Sequence, residues 1–189
     1  MKWTGICLVA LAGAFSLHAQ SPYRQTPVRS CRVADSTLGS NRVQKAQVGV
    51  LYDRTKDTTK LRVGDGFGLA AQGSMGGHGP SSNPVAQLDI LLPAWQSEII
   101  LRTPSPHVVS VIIDDSVSRE LSPVIVGTYF GPRRFMKLPI AAELNPPELV
   151  AIVRAQRVVV HVDSVTVSMR ADDQRDLAAL YTMMVCGTE

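Results

Sequence analysis

The serines, histidines and carboxylates of this chain are few enough to test one by one for chemistry. "QGSMGG" sets Ser74 two residues ahead of Gly76 with Gly73 directly before it. That is close to the G-x-S-x-G nucleophile elbow, whose serine sits on a sharp strand-to-helix turn. Here Gln72 stands in the first glycine's place and no helical pattern follows. A base would have to come from His78, His107 or His161, with Asp114 or Asp115 to orient it, and no spacing among them sets such a geometry. A hydrolase using Ser74 is therefore the alternative reading of the chain, not the leading one.

Metal and phosphate chemistry fare no better. The histidines form no i, i+4 pair and no H-E-x-x-H. His161 in "VVVHVD" reads as a sheet residue, and Asp114 and Asp115 point to opposite faces if extended. "GDGFG" carries glycines at alternate positions, but a phosphate cradle needs a helix directly after them, and more small residues follow instead. No metal and no cofactor is expected. Asp172 and Asp173 suit the first turn of a helix, and Asp53 and Asp57 suit a turn. What remains is a set of apolar and aromatic side chains around the glycine-rich stretch. Phe67, Met75 and Trp95 would border a groove for a ligand or partner there, with His78 beside them, and Trp95 is expected to tuck beneath the turn "PAWQ".

The elements that must position these residues follow from periodicity. "VGVLYDRTKDTTKLRV" folds back on itself with Val50 facing Leu61, Val48 facing Val63 and Tyr52 facing Thr59. The four-residue connection "RTKD" closes on the pair Asp53–Thr58. This hairpin accounts for the charge cluster as a turn and one wet face. Residues 64–84 hold seven of the fourteen glycines. They are read as a strand ending near Ala71 and then a flexible loop over 72–84, since glycine loses the most backbone entropy on ordering. The β-branched runs 85–92, 97–103, 107–114, 123–130 and 133–140 argue for antiparallel strands, the first two paired around "PAWQ" and the last two around Gly131-Pro132.

The C-terminal third reads as helix–strand–strand–helix. Asn145 caps the first helix, with Pro146 and Glu148 behind it and Leu149, Ile152 and Val153 on its apolar face. "RVVVHV" and "VTVSM" turn at Asp163-Ser164. Ser168 is expected to cap the second helix, whose stripe is Leu177, Leu180, Tyr181 and Met184. The fold class expected is α+β: an antiparallel β-rich domain, curved sheet or sandwich, with two helices in its C-terminal third.

Residues 1–19 read as a signal peptide. Lys2 precedes the uncharged run Trp3–Leu17, which is shorter than a membrane span, and Ala19 marks the break. Residues 20–42 are then an extended N-terminal arm, and 43–189 a single domain. The net charge of +3 falls by one with Lys2, and no basic stripe interleaved with aromatics suggests nucleic acid. No other apolar run is long enough to span a membrane. Cys7 leaves with the signal. Cys31 and Cys186 form an even pair suited to a disulfide in an oxidising compartment. The chain thus reads as an exported protein, periplasmic or extracellular, that binds a protein partner or small ligand without catalysis. A purely structural envelope component is the third reading. Oligomeric state is not legible.

Overall fold

A computed structural model describes residues 21–39, 46–64, 68–92, 94–102, 106–121, 123–125, 129–130 and 136–188. Residues 1–19, expected as a signal peptide, Phe67, and the expected turn at Gly131-Pro132 lie outside the described residues.

Apolar residues at every second position build two antiparallel sheets. The larger runs in the order Arg24–Pro27 (β1), Gln47–Asp53 (β2), Thr58–Val63 (β3), Gly68–Gly76 (β4), Ala86–Leu92 (β5), Met136–Leu144 (β10), Pro123–Ile125 (β8), with Tyr129–Phe130 (β9) also on β10. The smaller runs Val165–Ser168 (β12), Val158–Val162 (β11), Val109–Ile113 (β6), Val117–Leu121 (β7). In β5 the alternation is plain: Ala86, Leu88, Ile90 and Leu92 are buried while Gln87, Asp89 and Leu91 are not.

Helix Ala171–Cys186 (α4) lies across β2, β3 and β4, with Pro146–Arg154 (α3) and Arg32–Leu38 (α1) against it. A Cβ at Gly73 would stand 2.6 Å from Met184 Sδ, so the absence of a side chain lets α4 close on β4. One continuous core runs through both sheets and these helices, including Leu61, Leu88, Ile140, Leu149, Val160 and Leu180. Cys31, at the start of α1, is bonded to Cys186, at the end of α4, with a Cα–Cα separation of 5.8 Å.

The α+β expectation holds, including the C-terminal helix–strand–strand–helix. The β2–β3 register is the expected one, with Val50 opposite Leu61, Tyr52 opposite Thr59 and Asp53–Thr58 closing the turn. Asn145 Oδ1 accepts the Glu148 amide at 3.0 Å, and Glu148 Oε2 accepts the Asn145 amide at 2.9 Å.

Four details differ. The arm is not uniformly extended: β1 pairs with β2, and α1 buries Ala34 and Leu38. Residues 97–102, expected as a strand paired with 85–92, belong to helix Ala94–Arg102 (α2), where Ser97 and Ile100 turn inward at helical spacing. The serine hydroxyl donates to the Leu92 carbonyl at 3.2 Å. Residue Ser168 does not cap α4. It ends β12, and the Asp173 carboxylate caps instead, accepting the Arg170 amide at 2.8 Å.

The fourth difference is the glycine-rich loop. Strand β4 continues to Gly76, so 72–76 are in the sheet, paired with β3 as far as Thr58–Gly76. The connection beyond is held from both ends. Gly77 donates its amide to the Asp57 carbonyl at 2.8 Å, and the Ser81 amide donates to the Met184 carbonyl at 2.7 Å. Glycine composition signals conformational freedom in the chain alone. Here backbone hydrogen bonds from α4 and β3 offset it.

Candidate functional site

The side chains pointing away from α4 on the larger sheet form rows, because residues directly opposite in paired strands share a face. Arg62 stands opposite Gln72, Gln72 opposite Gln87, and Gln87 opposite Glu143. One step along, Lys60 faces Ser74. Lys60, Gln72, Ser74, Gln87 and Glu143 from these rows floor a cleft of about 1080 Å³. Its walls come from other elements: Tyr23 just ahead of β1, Asn83 and Val85 from the β4–β5 connection, Glu120 and Leu121 from β7, and Asn145 and Glu148 from the start of α3.

The floor is rigid for a physical reason. Lys60, Gln72, Ser74, Gln87 and Glu143 all project from interior strands whose backbones are paired on neighbouring strands. Gln87 donates to Asp89 Oδ1 at 2.6 Å, which fixes its amide. Glu148 uses one oxygen in the Asn145 cap. Lys60 has no ion-pair partner among the described residues, so the basic end of the cleft is not neutralised from within. The cleft is a hydrogen-bonding surface, cationic at β3 and anionic where β10, β7 and α3 meet.

Of the expected site residues, Phe67 lies outside the described residues, and Met75, His78 and Trp95 are not among those lining this cleft. Met75 is 4% exposed and part of the core. Trp95 is 65% exposed on α2, not tucked under a turn. His78 stacks on Tyr52 with ring centroids 4.2 Å apart. Ser74 is exposed and lines the cleft, but it lies inside β4 and not at a strand-to-helix turn, so the elbow geometry is absent. No histidine lines the cleft among the described residues. Nor do they include any group of three or more His, Cys, Asp or Glu placed to hold a metal ion.

Sequence reasoning missed Gln72, Gln87, Glu120 and Glu143 as site residues. Their signal was weak: they are the polar members of alternating strands and read only as a wet face. What singles them out is that two are amides and that five strands and a helix start converge on them, which is a tertiary fact.

Two polar clusters hold hairpin turns of the sheets. In the first, Tyr52 donates its hydroxyl to Asp57 Oδ1 at 2.7 Å, and that bond, followed by desolvation and the Asp57 charge, raises the tyrosine pKa. Asp53 accepts the Thr55 amide at 3.0 Å and its hydroxyl at 2.6 Å, which holds its carboxyl below the usual range. In the second, Asp163 sits in the β11–β12 turn at φ 50°. Its carboxylate meets His107 Nδ1 at 2.7 Å and accepts the Val108 amide at 2.9 Å. At the end of α4, the Thr188 amide donates to the His78 carbonyl at 3.0 Å. Gly187, at φ 85°, lets that carbonyl come within 2.9 Å of where its Cβ would be.

The chain matches no protein-family model, no curated protein and no solved structure.

Proposed function

We propose that this is an exported, non-enzymatic binding protein whose recognition surface is the cleft on the outer face of the larger sheet. The observation that carries the reading is the floor: amide, hydroxyl and charged side chains on paired, interior strands, converging in a concavity of about 1080 Å³. Ligand sites are concave, preformed and furnished with a few fixed polar groups. Export is supported by the composition of residues 1–19 and by the Cys31–Cys186 bond, which suits an oxidising compartment. No helix among the described residues is long and apolar enough to cross a membrane.

The test is thermal unfolding of the oxidised protein against a panel of polar small molecules and short peptides. A ligand at about a hundred times its Kd stabilises by about 2.7 kcal/mol, a rise of roughly 5–10 °C at this chain length. The variant Ser74→Trp, which fills the cleft from an exposed position, should abolish the rise and keep the fold. A rise that survives in Ser74→Trp would place binding elsewhere. No rise with any compound would favour a purely structural envelope component.

The hydrolase reading keeps one observation: Ser74 is exposed in the same cleft directly across from Lys60, a side chain able to act as a base. Ser74→Ala separates the two readings, because it would abolish turnover in a hydrolase and leave binding within a few-fold.

A further inference from the structure

The cleft's charges are arranged along a line, and that line has a length. Lys60 stands on β3, and Glu143 stands on β10, three strands away with β4 and β5 between. Strands lie about 4.8 Å apart, so the basic and acidic ends are separated by roughly 14–16 Å once the offset along the strand is included. Glu120 and Glu148 reinforce the acidic end from β7 and α3. Between the ends lie Gln72 and Gln87, each offering both a donor and an acceptor.

From this we infer that the cleft takes a short peptide with free termini, extended across the strands, its carboxylate at Lys60 and its ammonium at Glu143; the inference rests on the cleft being the binding surface. An extended chain advances about 3.3 Å per residue, so four or five residues span the two ends. The side-chain amides of Gln72 and Gln87 match the peptide groups between them, which each present one N–H and one C=O. A neutral oligosaccharide would satisfy the amides but desolvate Lys60 and three carboxylates without pairing them. A polyanion would be repelled by the acidic end, and a polycation would pair with the carboxylates but leave Lys60 desolvated and unpaired.

The experiment is an NMR titration of the oxidised protein with tetra-alanine and penta-alanine. Each is used with free termini, N-acetylated, C-amidated and blocked at both ends, and a neutral glucose tetrasaccharide runs alongside. Free peptides are expected to shift the side-chain amides of Gln72 and Gln87, and blocking either terminus to weaken binding at least tenfold. Lys60→Gln should remove the penalty for C-amidation, and Glu143→Gln the penalty for N-acetylation. Both residues are exposed or on the wet face, so the variants keep the fold. Equal binding of the doubly blocked peptide overturns the inference. So does a tetrasaccharide that shifts the same amides when peptides do not, although the cleft would then stand as a binding surface. If no probe shifts any cleft residue of the folded protein, the inference and the cleft reading both fall.

Discussion

Asp163 does three things from one position. It adopts the left-handed conformation that a two-residue hairpin turn requires, which Asp tolerates better than most residues. It accepts the Val108 amide, and it pairs with His107, both side chains being about a tenth exposed. Asp163→Ala removes the acceptor for both bonds and strains the turn, and should cost about 2–4 kcal/mol in urea denaturation. Asp163→Asn keeps an acceptor and tolerates the backbone, and should cost less than half as much. If the two variants cost the same, the hydrogen bonds are not what the residue contributes. The β2–β3 turn makes a pH prediction. Asp53 has a lowered pKa in the folded state, so its contribution is full above the unfolded aspartate range and is lost as pH falls through the lowered value. Tyr52 has a raised pKa, so its contribution is full below the unfolded tyrosine range and is lost as pH climbs through the raised value. Stability profiles against pH should therefore flatten on the acid limb in Asp53→Asn and on the alkaline limb in Tyr52→Phe, and not the reverse.

Among the elements, α4 and β4 meet closely enough to test atom by atom. Gly73→Ala would drive a methyl group against Met184 Sδ, whose side chain is fully buried. Overpacking of this kind costs about 1–3 kcal/mol. Met184→Ala leaves a cavity and costs about 2–5 kcal/mol. The double variant should cost at least 0.5 kcal/mol less than the sum, since one change relieves the other; strict additivity would mean the helix is not seated on Gly73. The elements that could be read directly from the chain are those with local rules. Asn145 to Glu148 is a capping box within four residues, and the β2–β3 register follows from which choice keeps Leu61 and Thr59 inward. Helix α2 was hidden because "SEIILR" is short and β-branched, so strand propensity outweighed the period that puts Ser97 and Ile100 on one side. The length of β4 was hidden because its glycines carry no side-chain pattern at all. Pairing partners supply the order there, and on β3 those run from Val63 opposite Ala71 to Thr58 opposite Gly76. The cleft was illegible for a related reason: its floor unites residues from Lys60 to Glu143 that share nothing in sequence except polarity.

For the whole molecule, the disulfide joins positions 155 residues apart. In the chain-entropy description, closing so long a loop stabilises the fold by about 4–5 kcal/mol, and engineered or strained bonds deliver less. Replacing both Cys31 and Cys186 with Ala should lower the melting temperature by roughly 8–20 °C. The α1–α4 contact and the tether between Met184 and Ser81 should loosen first, because both lie beside the lost bond. Hydrogen exchange at the Ser81 and Thr188 amides would report this. Unchanged protection there, alongside a lowered melting temperature, would locate the effect in the unfolded chain alone.

That bond also makes most of the polypeptide a closed covalent ring. A single proteolytic cut anywhere between Cys31 and Cys186 opens the ring without dividing the molecule. Nicked protein would run as one species until reducing agent is added, and only then as two. The disulfide thus keeps the two pieces covalently joined after cleavage.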